Sequence, residues 1–225
     1  MDRRLIGLAA LIALAAVALL SQRSGGGQAP AATGKSGTGF DYYVLALSWS
    51  PSYCASKGSS ADPEQCGLAK PLGFTVHGLW PQYERGAPQD CAVNSRQVDR
   101  DILRKIGAVM PSDGLARHEW QKHGTCSGLS KADYFDQMIA ASAKVRIPGM
   151  FSQALAARTV SPSLVETQFL KANPGMNAQG FAAACGGGYL TEVRICLSKG
   201  LEFRDCPEVD RNACRANAVK MPAAN

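Results

Sequence analysis

The sequence predicts an α+β fold in which a central antiparallel sheet packs with several helices in a single disulfide-stabilised domain. Three observations lead there. β-rich apolar runs stand near both ends of the domain, helical spacing of apolar residues fills the stretch between them, and eight cysteines form an even set. With 225 residues, 46 % hydrophobic and 19 % charged, the chain has material for one sizeable core. No internal repeat and no second-domain linker interrupts it.

Residues 41–49 form the first expected strand, stopped by Pro51, and residues 73–80 the second, stopped by Pro81. Between them Gly58, Ser59, Ser60 and Pro63 read as a loop bracketed by Cys54 and Cys66. Apolar Val98, Ile102, Ile106 and Val109 predict a helix over 98–110, ended by Pro111. The next helix runs from 115 to about 123, with Asp113 as its cap and Gly124 as its stop signal. Helices follow over 131–145 and near 149–157, and one more opens either at the capping-box spacing of Ser163 and Glu166 or earlier, at Ser161-Pro162. Gly186-Gly187-Gly188 then introduces a strand over 189–197.

The N-terminus sets the compartment. Arg3 and Arg4 precede an apolar run over 5–20 that is too short and too Ala-rich to favour a membrane span, so residues 1–20 read as a secretory signal. Cleavage after Ala18 is one outcome, and retention as an anchor, the one route to membrane association, is the other. Residues 21–39 are a flexible linker and 40–225 the folded domain. A secreted or periplasmic protein follows, with a bacterial periplasm favoured. Export agrees with eight cysteines that include no CxxC pair, which favours an oxidised framework over metal binding. About 105 pairings are open to eight cysteines. The net charge of +6 falls to +4 once Asp2, Arg3, Arg4 and Arg23 are removed, which suits a polyanionic substrate without demanding one.

All three histidines fall in two dense clusters: Phe74-Thr75-Val76-His77-Gly78-Leu79-Trp80-Pro81 and His118-Glu119-Trp120-Gln121-Lys122-His123-Gly124-Thr125-Cys126. Imidazole gains and loses protons near neutrality, so acid-base catalysis is the leading function. On a helix His118, Lys122, Glu119 and His123 project at about 0°, 40°, 100° and 140°, which puts four ionisable groups on one face and Trp120 on another. In the strand, Trp80 is expected beside His77, ready to stack a base, while Gly78 faces away and marks a close approach.

Two other readings compete. His118-Glu119 resembles part of the zinc-binding HExxH pattern, but His118 and His123 are five apart rather than four, which spoils two-point coordination. A three-histidine metal site with Glu119 as base is still conceivable, and Lys122 argues against it because its ammonium would repel a cation. A non-catalytic RNA-binding module would not need titratable pairs. Two histidines, a lysine and a carboxyl instead suit transphosphorylation of RNA without a metal or other cofactor, in which the substrate's 2′-hydroxyl attacks the adjacent phosphorus.

The segments FTVHGLWP and HEWQKHGTC resemble the two active-site segments of the T2 ribonuclease family, and the resemblance extends to the first strand with Pro51 and Cys54 and to the strand around Tyr189 to Cys196. It implies an endoribonuclease acting on single-stranded RNA, with RNA as its partner and no stable protein partner. His123 would be the base and His77 the acid, Glu119 and Lys122 would stabilise the transition state, and His118 would hold the phosphate. Trp80 matches a base-stacking residue, with Phe74 and Tyr83 as neighbouring substrate-binding candidates. The resemblance also implies the pairs Cys54–Cys66, Cys91–Cys126, Cys185–Cys214 and Cys196–Cys206. Gln82 departs from an aspartate common in relatives and Ser48 from a glutamine, so weak or altered base preference is expected.

Overall fold

The computed structural model describes residues 39–67, 72–92, 96–152 and 156–224. The expected signal and all but the last residue of the linker lie outside the described residues. Among the described residues no helix is long and apolar enough to cross a membrane.

The path opens with β1 (Tyr42–Trp49), buried along its length except at Ser48, as expected of a strand flanked on both edges and covered on both faces. Pro51 does end this strand, but helix rather than loop follows. It stands in the first turn of α1 (Ser50–Lys57), where its missing N–H would have no helical partner anyway. The supposed loop continues as α2 (Pro63–Cys66), capped by Asp62. β2 (Phe74–Gln82) runs past the expected stop, with Pro81 opposite Tyr43 and Gln82 opposite Tyr42.

α3 (Arg100–Ile106) is shorter than its periodicity suggested, because the chain turns at Gly107 and the Val109 carbonyl instead accepts the N–H of Val76 at 2.8 Å, on the outer edge of β2. α4 (Asp113–Lys122) is capped by Ser112, not Asp113: the Ser112 hydroxyl accepts the Leu115 N–H at 3.0 Å. α5 (Lys131–Lys144) buries Tyr134, Phe135, Met138 and Ala141 along one stripe. α6 (Gly149–Ser152) is a single turn, and 153–155 lie outside the described residues. β3 (Arg158–Val160) precedes α7 (Pro162–Ala172), which takes the earlier of the two expected starts, with Ser161 as cap.

β4 (Phe181–Gly186) and β5 (Tyr189–Leu197) form a hairpin through Gly187 and Gly188, whose φ values of 58° and 82° favour glycine. α8 (Pro207–Arg211) and β6 (Val219–Met221) complete the chain. The strands make one sheet in the order β2-β1-β5-β6-β3, with β4 also paired to β5. Its pairs are antiparallel except for a single parallel contact of Tyr189 with Lys220. β2 is an edge strand, which is why Pro81 is tolerated within it. The large core lies on the face of Leu45 and Leu47, and a smaller apolar cluster around Tyr42, Val44 and Cys196 lies on the other. The disulfides are Cys54–Cys66, Cys91–Cys126, Cys185–Cys214 and Cys196–Cys206, the pairs implied by the resemblance.

Candidate active site

A β-bulge aims the first imidazole. Ala46 of β1 pairs with Gly78 and Leu47 with Val76, so His77 is the extra residue between them. Strict alternation would put positions three apart on opposite faces; the inserted residue brings His77 onto the face that carries Gly78 and Trp80. Gly78 therefore does not face away. A Cβ there would lie 2.1 Å from Glu119 Oε2 and 2.4 Å from Trp80 Nε1, so the close approach it permits is by the site's own side chains.

The second imidazole comes from the end of α4. Glu119 and Trp120 are buried, Trp120 packs against Tyr134 and Phe135, and the helical conformation ends at His123, its C-cap. Gly124 stops nothing by conformation; a Cβ there would strike the Trp120 ring at 2.4 Å. The segment that follows β2 is tied to the end of α4: Asp90 N–H donates to the Lys122 carbonyl at 2.8 Å, Gln121 Nε2 donates to the Ala92 carbonyl at 2.7 Å, and Cys91 bonds Cys126.

β2 and α4 meet over a cleft of about 340 Å³ lined by His77, Trp80, Gln82, His118, Glu119, Lys122 and His123. Trp80 Nε1 donates to Glu119 Oε2 at 2.7 Å. The centre of the indole lies 5.3 Å from that of the His77 ring and 5.3 Å from that of the His123 ring. Glu119 Oε1 is 3.7 Å from His77 Nε2 and 4.0 Å from His118 Nε2. Phe74 and Tyr83 do not line this cleft. Phe74 turns into the core, edge-on to Trp49, Phe151 and Phe169, because it sits at the start of β2 on the face opposite the cleft; Tyr83 packs against the same core beyond the end of the strand.

Two charged lining residues escaped the sequence reading. Glu192 and Arg194 project from β5, where alternation with apolar neighbours reads as an ordinary polar face. Glu192 Oε2 accepts from His77 Nδ1 at 2.9 Å, and its Oε1 accepts from Arg194 Nε at 2.7 Å. The Arg194 guanidinium stands 5.5 Å from the Trp80 ring centre.

The environment sets the two imidazoles against each other. Burial disfavours a charged His77, but its hydrogen bond to Glu192 and the nearby Glu119 outweigh that and raise its pKa. For His123, burial, Lys122 and the other two imidazoles all act downward, to about 3. Glu119 is pushed up to about 7 by burial, against the pull of His77, the Trp80 N–H and Lys122. Burial also opposes the charge on Glu192, yet its bonds to His77 and Arg194 hold it below the usual carboxylate range. His118, half exposed, is lowered by burial and by Lys122. Among the described residues, no cluster of three His, Cys, Asp or Glu side chains has a metal-holding arrangement.

Two imidazoles of opposed proton affinity beside an ammonium can take and give protons at an anionic group bound in the cleft. The model of the Ribonuclease T2 family matches residues 40–206, and the chain belongs to that family. It is similar to a ribonuclease of Aeromonas hydrophila, 41 % identical over 165 residues that span 71 % of this chain and 73 % of the relative. The fold is similar to that of an RNase-related protein from Calystegia sepium, with a TM-score of 0.65, 23 % identity, and 83 % of this chain and 98 % of the other covered. It is also similar to a variant of RNase MC1, the bitter gourd ribonuclease, in complex with 5′-UMP, with a TM-score of 0.56, 26 % identity, and 72 % and 90 % covered.

Proposed function

We propose that this domain is an endoribonuclease that cleaves single-stranded RNA by transphosphorylation without a metal, leaving 2′,3′-cyclic phosphate ends. The observation that carries the reading is that the His77 and His123 rings lie in one cleft with Lys122, each 5.3 Å from the same indole, in surroundings that raise the proton affinity of His77 and lower that of His123. His123 removes the proton of the 2′-hydroxyl, the 2′-oxygen attacks phosphorus, the bond from phosphorus to the 5′-oxygen breaks, and His77 protonates that oxygen. Lys122 offsets the charge that develops on the phosphoryl oxygens, and half-exposed His118 holds the phosphate at the rim.

Glu119 presents a difficulty that its burial resolves. A carboxylate would repel a phosphorane-like transition state. Held protonated below about pH 7, it donates a hydrogen bond instead. Trp80 offers its half-buried ring to a base, and Gln82, whose Nε2 already donates to the Pro81 carbonyl at 2.9 Å, gives a neutral and therefore weak base readout. The uridine nucleotide held by the RNase MC1 variant supports a nucleotide substrate. Four disulfides in a chain with an apolar N-terminal run support a secreted or periplasmic location.

Incubated with EDTA, RNA should be cut while a 2′-deoxy analogue of the same sequence stays intact, with cyclic phosphate on the new ends. Cutting of both, or silencing by EDTA and rescue by zinc, would reject the mechanism. Gly78→Ala tests the packing of the site: the added methyl must displace Glu119 or Trp80, and a misplacement of that size lowers kcat/KM by about 10²-fold. Undiminished turnover in that variant would show that the carboxyl's position is immaterial.

A further inference from the structure

We infer that Glu192 is a positioning residue for the general acid: its carboxylate, anchored by Arg194, takes the Nδ1–H of His77 and commits the Nε2 proton to the cleft. The inference rests on the acid role given to His77 above. His77 and Glu192 stand on strands that are not neighbours, since β1 runs between β2 and β5. Two strand spacings are about 9.5 Å, so the side chains meet only where β1 offers little bulk. It does so at Ala46, which pairs with Gly78 and Arg194, and at Ser48, which pairs with Thr75 and Glu192. On the same strand, odd-numbered Leu45 and Leu47 turn to the core. The bulge at His77 then directs the ring over that low stretch.

The carboxylate is divided between its partners. Oε1 receives Arg194, through Nε at 2.7 Å and a terminal nitrogen at 2.5 Å, while Oε2 is left for His77 Nδ1 at 2.9 Å. A buried carboxylate serving only the ion pair with Arg194 would have no reason to turn its second oxygen to an imidazole. The other groups facing His77 are Glu119, whose Oε1 is 3.7 Å from Nε2, with His118, Lys122 and His123 from the region of α4, and Arg194 from β5. Of the groups that raise the proton affinity of His77, the hydrogen bond to Glu192 is the largest and the nearby Glu119 follows.

The chain has three histidines, so their ring C–H resonances can be followed separately by NMR without substrate. Glu192→Gln keeps the shape while removing the charge, and its single amide oxygen can accept from only one of the two donors. Its His77 should titrate about one pH unit lower or more, and the alkaline limb of kcat/KM on RNA should move with it. If the imidazole titration and the limb stay put in Glu192→Gln, the inference is overturned; a titration that shifts while the limb does not equally removes the catalytic role. Full turnover in His77→Ala instead sinks the acid assignment on which the inference stands, a failure distinct from an unmoved titration because the NMR reading needs no activity.

Discussion

His123→Ala lowers the turnover of RNA by about 10²–10⁴-fold, the usual span for removal of a general base, while RNA binding persists through Lys122, His118 and Trp80. The pH profile says more than the loss. His123 accepts a proton only near pH 3, so in the wild type the base is ready at every pH above that and the rate falls on the acid side only as His123 becomes charged. On the alkaline side two groups must keep their protons: His77, whose raised pKa holds its own past the ordinary imidazole range, and Glu119, which loses its own at about pH 7. The result is a broad plateau between the two limbs. In His123→Ala the residual rate keeps the alkaline limb and loses the acid one. The asymmetry has a structural source: His77 Nδ1 is backed by Glu192, whereas buried His123 Nδ1 finds no hydrogen-bond partner among the described residues. Rate profiles of both proteins from pH 2.5 to 9 check this, and an acid limb that survives the substitution would assign it to another group.

Chemistry was more legible in this sequence than its spatial support. The clusters around His77 and His118–His123 carry residue types whose proton affinities point to catalysis wherever they sit, and the face shared by His118, Glu119, Lys122 and His123 follows from helical rotation alone. Glu192 could not be found that way. It lies 115 residues from His77, and its contact depends on β5 pairing with β1, on the small side chains of Ala46 and Ser48, and on a bulge that local periodicity does not announce. Phe74 shows the converse error: closeness to His77 in sequence suggested a substrate contact, but strand alternation turns its ring into the core. β4 was missed because Phe181-Ala-Ala-Ala-Cys-Gly has no β-branched residue, and α1 because Pro51 signals a stop as readily as a first turn. Short β3 and β6 gain their identity from each other, through pairs such as Thr159 with Lys220.

Glu119→Gln should retain much of the wild-type rate at pH 5, whereas Glu119→Ala loses about 10²–10³-fold, the cost of removing one hydrogen-bond donor from a developing oxyanion. The contrast follows from how the carboxyl is held. Trp80 Nε1 fixes Oε2 as an acceptor at 2.7 Å, leaving Oε1 toward His77 and His118 on the cleft side. Burial keeps the group protonated below about pH 7, so at pH 5 the free oxygen carries a proton that it can donate to a phosphoryl oxygen. The amide of glutamine reproduces both functions, with its oxygen accepting from Trp80 and its nitrogen donating into the cleft. Alanine reproduces neither and leaves a buried indole N–H without its acceptor. Turnover of RNA by the three proteins at pH 5 decides the matter. If Glu119→Gln is as slow as Glu119→Ala, the group works through its negative charge or as a proton carrier, and the hydrogen-bond donor argued here is wrong.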